Sequence, residues 1–153
     1  MEQHGRNKEM AGTRPAALVA DASVIVKWFV NEPFTEQSLR LRKAHVGLAT
    51  RVVVPSLAKY EVLNALKYSG EFGVEEITRI SRDLDNYQFI EVPFERRYSE
   101  ATVNIATKYG ITVYDSSYIA VGQERALPVF TADKKVLDKT RGLGFIHHIR
   151  EYT

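Results

Sequence analysis

Four carboxylates stand where a chain of alternating strands and helices would gather them: Asp21, Glu61, Asp115 and Asp133. Asp21 directly follows the apolar run Ala17-Leu18-Val19-Ala20, and Asp133 comes two residues after Thr131, which ends a similar run. Both fall on loops at the carboxyl ends of candidate strands. Asp115 opens a candidate helix, where the helix dipole and free N–H groups favour an ionised carboxylate. Glu61 lies inside a helix among Tyr60, Val62 and Leu63, at the edge of a face that Leu57 and Leu66 help define. Each acid also has a plainer role open to it: helix capping for the three aspartates, a solvent-facing position for the glutamate.

As a set they imply a definite chemistry. Clustered carboxylates resist joint ionisation unless a cation compensates. Ligands that are all oxygen suit Mg²⁺ or Mn²⁺ and disfavour zinc. A hard divalent ion so held activates water against a phosphodiester. The neighbours suit this reading: Ser23 and Thr131 lie two residues from Asp21 and Asp133 and can orient carboxylates or a water. Asn64 is three residues after Glu61, on the same side of the helix. Lys134-Lys135 adjoins Asp133 and can meet the phosphates of such a substrate.

The elements that must position these groups are legible as alternating runs. Ala17–Ala20, Arg51–Val54, Gln88–Val92, Pro128–Thr131 and Phe145–Ile149 read as strands. Helices are expected from Ser23, over Phe34–Val46, from Pro55 to Ser69, and over Val74–Asn86, Phe94–Tyr109, Tyr114–Arg125 and Lys134–Arg141. Strands separated by helices imply a parallel sheet covered on both faces. Such sheets bind ligands at the carboxyl ends of the strands, where the strand order reverses.

The 153 residues suit one domain, read here as residues 16–153 behind a disordered tail, 1–15. Hydrophobic residues at 44% and charged residues at 26% exclude a disordered or collagen-like chain. The chain has no cysteine, which removes disulfide scaffolds and thiol nucleophiles. His4, His45, His147 and His148 lack metal-ligand spacing. Asp21 and Lys27 interrupt the longest apolar stretch, so no membrane span is expected and the protein is read as cytoplasmic. A net charge of +2 permits a nucleic-acid partner without demanding one. Arg96-Arg97 and Arg40-Leu41-Arg42-Lys43 read as solvated faces, Trp28 as core or interface. Tyr60, Tyr68, Phe72 and Val74 form either a partner surface or ordinary packing.

Four segments in order, Asp21-Ala22-Ser23-Val24-Ile25-Val26-Lys27-Trp28-Phe29, Tyr60-Glu61-Val62-Leu63-Asn64-Ala65-Leu66, Tyr114-Asp115-Ser116-Ser117-Tyr118-Ile119-Ala120 and Thr131-Ala132-Asp133, resemble a PIN domain, most of all the VapC toxins of toxin–antitoxin pairs. The resemblance runs from about Leu18 to the C-terminus. It implies an α/β, three-layer fold with a five-stranded parallel sheet, and an endoribonuclease dependent on Mg²⁺ or Mn²⁺. It further implies Asp21, Glu61, Asp115 and Asp133 as the catalytic, metal-holding quartet, with Ser23, Asn64 and Thr131 in support. A homodimer and a small VapB-like antitoxin are the implied partners. The alternative is a non-enzymatic RNA- or protein-binding module that keeps the fold and uses the acids structurally.

Overall fold

The computed structural model describes residues 14–153. Five short strands form one wholly parallel sheet: β1 (Ala17–Ala20), β2 (Arg51–Pro55), β3 (Ile90–Val92), β4 (Val129–Thr131) and β5 (Ile146–His148). Leu18, Val19, Ala20, Val52, Val53, Val54 and Val129 are buried, as expected of strands covered on both faces. Seven helices cover them: α1 (Ala22–Val26), α2 (Thr35–Val46), α3 (Ala58–Ser69), α4 (Val74–Asn86), α5 (Arg97–Tyr109), α6 (Val113–Arg125) and α7 (Lys134–Lys139).

The spatial order is β3-β2-β1-β4-β5. From β1 the chain builds outward through β2 to β3, then returns to the other side of β1 for β4 and β5. The order therefore reverses between β1 and β4, the two strands whose carboxyl ends lead to Asp21 and Asp133. That is the crevice where a doubly wound sheet takes its ligand.

Expected boundaries moved by up to three residues: α5 starts at Arg97 and not at Phe94, and β3 at Ile90 and not at Gln88. Pro55 does not open α3; it closes β2, paired with Val92 of β3. Pairing of β2 with β1 ends at Val53, so the missing proline N–H costs no bond on that side. The helix begins three residues later, at Ala58. Its other end is as expected: Gly70 takes a φ of +73°, the left-handed conformation that glycine adopts without strain.

Packing of α6 against the sheet depends on a missing side chain. A Cβ on Gly122 would lie 2.3 Å from Val129 Cγ2 and 3.0 Å from the Leu127 carbonyl oxygen. The absent methyl lets the α6 backbone lie close to β4, which fixes the helix carrying Asp115.

Trp28 is core. It is 5% exposed and packs edge-on to Tyr87 at 4.9 Å between ring centroids, with Phe89 beside it. His45 is structural too. Its Nδ1 accepts the Val52 N–H and its Nε2 faces the Tyr87 carbonyl at 2.6 Å, so the ring is neutral and Nε2 carries the proton. Burial lowers its pKa accordingly. His148 Nδ1 accepts the Arg150 N–H, while His147 lies half-buried against Phe130.

Of the expected tail, residues 1–13, including His4, lie outside the described residues. At its end, the Pro15 carbonyl accepts the Thr50 hydroxyl proton and Arg14 donates to the carbonyl of Thr153.

Candidate active site

Asp21 and Asp133 turn out to be caps, and capping leaves them free to do more. Asp21 accepts the Val24 N–H of α1 and the Ser23 hydroxyl proton, both on Oδ1. Asp133 accepts the Lys135 and Val136 N–H groups of α7, again both on Oδ1. In each case the cap fixes the carboxylate and leaves Oδ2 outside the cap bonds. Asp115 is not a cap. That role falls to Thr112, whose hydroxyl accepts the Asp115 N–H, and it holds Asp115 in the first turn of α6.

Ser23 and Thr131 hold two loops together. The Ser23 oxygen accepts the Ala132 N–H at 2.8 Å while its proton goes to Asp21, so one hydroxyl joins the loop after β1 to the loop after β4. Thr131, 1% exposed, accepts the Asp133 N–H at 3.0 Å. Asn64 lies exposed on α3, one turn on from Glu61, and makes no side-chain hydrogen bond among the described residues.

Electrostatically the four acids form a ring with Asp115 at its hub. Burial pushes the Asp21 carboxyl up to about 6; hydrogen bonds from Ser23, Thr131 and Val24 oppose the rise, and the charge of Asp115 adds to it. Burial also raises Glu61, with Asp115 again adding. Asp115 is raised by burial and by the charge of Asp133. Low dielectric and like charge thus both penalise full ionisation.

Tyr118, on α6 one turn beyond Asp115, was not expected at the site. Its hydroxyl is buried beside Glu61, and burial holds it protonated, with the charge of Glu61 adding. It lies near enough to favour the ionised glutamate, yet no hydrogen bond of normal geometry links the two. The sequence carried one signal for it: spacing of three residues from Asp115 puts both on one face of the helix.

The donor set fits a hard divalent cation. It is all oxygen, it stands at the switch point, and Glu61 Oε1 is buried with no hydrogen-bond partner, an acceptor that is costly to leave unsatisfied. Among the described residues no three carboxylate or imidazole groups already close on one point. Lys134 and Lys135 are exposed at the start of α7, beside Asp133.

Comparison with known proteins gives the family and the fold. The PIN domain pattern matches residues 18–143. Ribonuclease VapC3 of Pyrobaculum aerophilum is 30% identical over 126 residues, covering 80% of this chain and 93% of that protein. A toxin–antitoxin complex from Klebsiella pneumoniae contains a chain of the same fold, with a TM-score of 0.61 at 15% identity over 86% of this chain and 97% of that one. FitAcB from Neisseria gonorrhoeae aligns at 0.60 and 16% identity, over 81% and 93%.

Proposed function

Because the chain belongs to the PIN domain family, we propose that it is a metal-dependent endoribonuclease, a VapC-type toxin held in check by a small antitoxin. One observation supports this most: four acids from four separate segments lie near enough to the strand-order switch point for Asp115 to couple with Asp21, Glu61 and Asp133, and Glu61 Oε1 is buried and unpaired. The relative called a ribonuclease and the fold shared with a toxin–antitoxin chain support the choice of activity and of partner.

In this reading Asp21, Glu61, Asp115 and Asp133 hold Mg²⁺ or Mn²⁺. When bound, the ion supplies a water acidic enough to attack at neutral pH and positive charge to offset the phosphate. The protein's own contribution is placement. The Asp21 and Asp133 caps fix two carboxylates on rigid helix starts, and Ser23 holds their loops at one spacing. The Tyr118 hydroxyl lies beside Glu61, and Lys134 and Lys135 meet RNA phosphates that the acids would otherwise repel. An apolar groove of about 580 Å³ between α3 and α4, lined by Tyr60, Leu63, Phe72, Val74 and Ile77, is the surface we assign to a protein partner, antitoxin or second copy. Among the described residues no helix is long and apolar enough to cross a membrane.

The test is direct. Labelled RNA of several types is incubated with the protein in Mn²⁺, Mg²⁺ or EDTA, beside an Asp115→Asn variant. Cleavage that needs the metal and is lost in the variant is expected. Cleavage absent under every condition would leave the binding-module alternative in its place.

A further inference from the structure

The acidic site opens on one side into a recess whose far wall, Lys27 and Glu32, metal chemistry does not use. That recess, of about 430 Å³, opens between α1 and α3, within the ~300–1,000 Å³ range of small-ligand sites. It shares Ser23 and Glu61 with the site, so whatever fills it adjoins the reacting phosphate. Ala22, Val26 and Ala65 supply small apolar walls. The polar groups are Asn64, Lys27 and Glu32.

Lys27 is the unusual one. It is 6% exposed, and its ammonium donates to Glu32 Oε1 at 2.9 Å. Buried lysines are rare unless paired. An ammonium carries three protons, and among the described residues Glu32 is its only acceptor. The Glu32 side chain is 37% exposed, and Lys27 is the only donor to its carboxylate among the described residues. The recess thus presents a donor and an acceptor side by side, fixed by their own ion pair.

Charge decides the class of occupant. Glu32 already neutralises Lys27, so the pair offers a phosphate no net positive charge. A guanidinium would suit the acids but offers no acceptor to the spare lysine protons. A planar neutral group with donors and an acceptor along one edge meets every requirement. Among the bases guanine fits best: two adjacent N–H donors face the carboxylate, while O6 faces the ammonium on the same edge. We propose that this recess is a guanine-binding subsite for the nucleotide adjoining the scissile phosphate, read by the Lys27–Glu32 pair with Asn64 at its rim. The proposal rests on the ribonuclease reading above.

The test keeps the two readings separable by not relying on turnover. Amide-resolved NMR follows the protein, with Ca²⁺ present, as it is titrated with each of the four nucleoside 5′-monophosphates. The guanine nucleotide should shift the backbone signals of Ala22, Lys27 and Glu32 and the side-chain amide of Asn64 more tightly than the other three. Glu32→Gln should reduce that preference roughly tenfold, the order expected for a lost bidentate base contact. Since Glu32→Gln leaves a buried lysine without its counter-charge, a Lys27→Met/Glu32→Gln double variant is measured too, with its melting curve. It should fold and show the same loss. Equal response to all four bases overturns the guanine assignment. No response at the recess overturns the subsite, even if the protein cuts RNA. Occupation by an arginine-rich peptide but by no nucleotide would give the recess to a protein partner and overturn it equally.

Discussion

Replacing Asp21 by asparagine should make the metal-free protein more stable and inactive at once. The carboxyl is held at about 6 against an ordinary 3.8. At ~1.36 kcal/mol per unit, its ionised form costs the fold about 3 kcal/mol at neutral pH. Asparagine is nearly isosteric, and its Oδ1 can still accept from Val24 and Ser23, so the α1 cap survives. Its amide NH₂ inherits a half-buried place without a partner, which returns part of the gain. The net expectation is about 1–2 kcal/mol at pH 8.

The sign can be checked against pH. A carboxyl raised in the folded state binds its proton there first, so its stabilising contribution is complete below pH 3.8 and is lost as pH rises through 6. The advantage of the variant should therefore be largest at pH 8 and disappear by about pH 4. His45, lowered by burial, works in the opposite direction, destabilising the fold as pH falls below its ordinary 6.5. It is the same in both proteins and cancels in the difference. Urea unfolding in EDTA from pH 4 to 8 measures that difference, provided both proteins keep one m-value. A gap independent of pH, or a variant weaker at pH 8, would refute the reasoning and leave Asp21 as a cap alone.

Three further outcomes are expected. Millimolar Mn²⁺ should raise the melting temperature of the parent by mass action, and much less that of Asp115→Asn, which removes the hub of the ring; equal shifts in scanning calorimetry would count against a shared site. Gly122→Ala should destabilise by about 1–3 kcal/mol as overpacking because its methyl would meet Val129 at 2.3 Å; unchanged urea midpoints would mean that α6 packs more loosely than described. Changing Lys134 and Lys135 to alanine should weaken RNA binding, measured in Ca²⁺, and flatten its log–log salt slope by up to about 0.7 per contact; an unchanged slope would move the RNA path toward Arg96-Arg97 or Arg40-Arg42.

What the sequence determined by itself was local or periodic. Val52-Val53-Val54 and Leu18-Val19-Ala20 read as strands covered on both faces, and both are buried strands. Gly70 and Gly110 closed α3 and α5 where expected, because a left-handed terminus is written in one residue. The acids were legible because their flanking motifs recur in order, and the match over residues 18–143 bears out that resemblance. Tertiary structure alone decided the rest. Pro55 reads as a helix opener until a third strand pairs with it at Val92. Ser23 reads as a cap until the fold brings Ala132, 109 residues away, onto its oxygen. Nothing in local spacing buries Lys27 against Glu32, or sets the Tyr118 hydroxyl beside Glu61. Periodicity reports which face of an element turns inward, whereas the groups that meet there are chosen by strand order, which only the packed chain expresses.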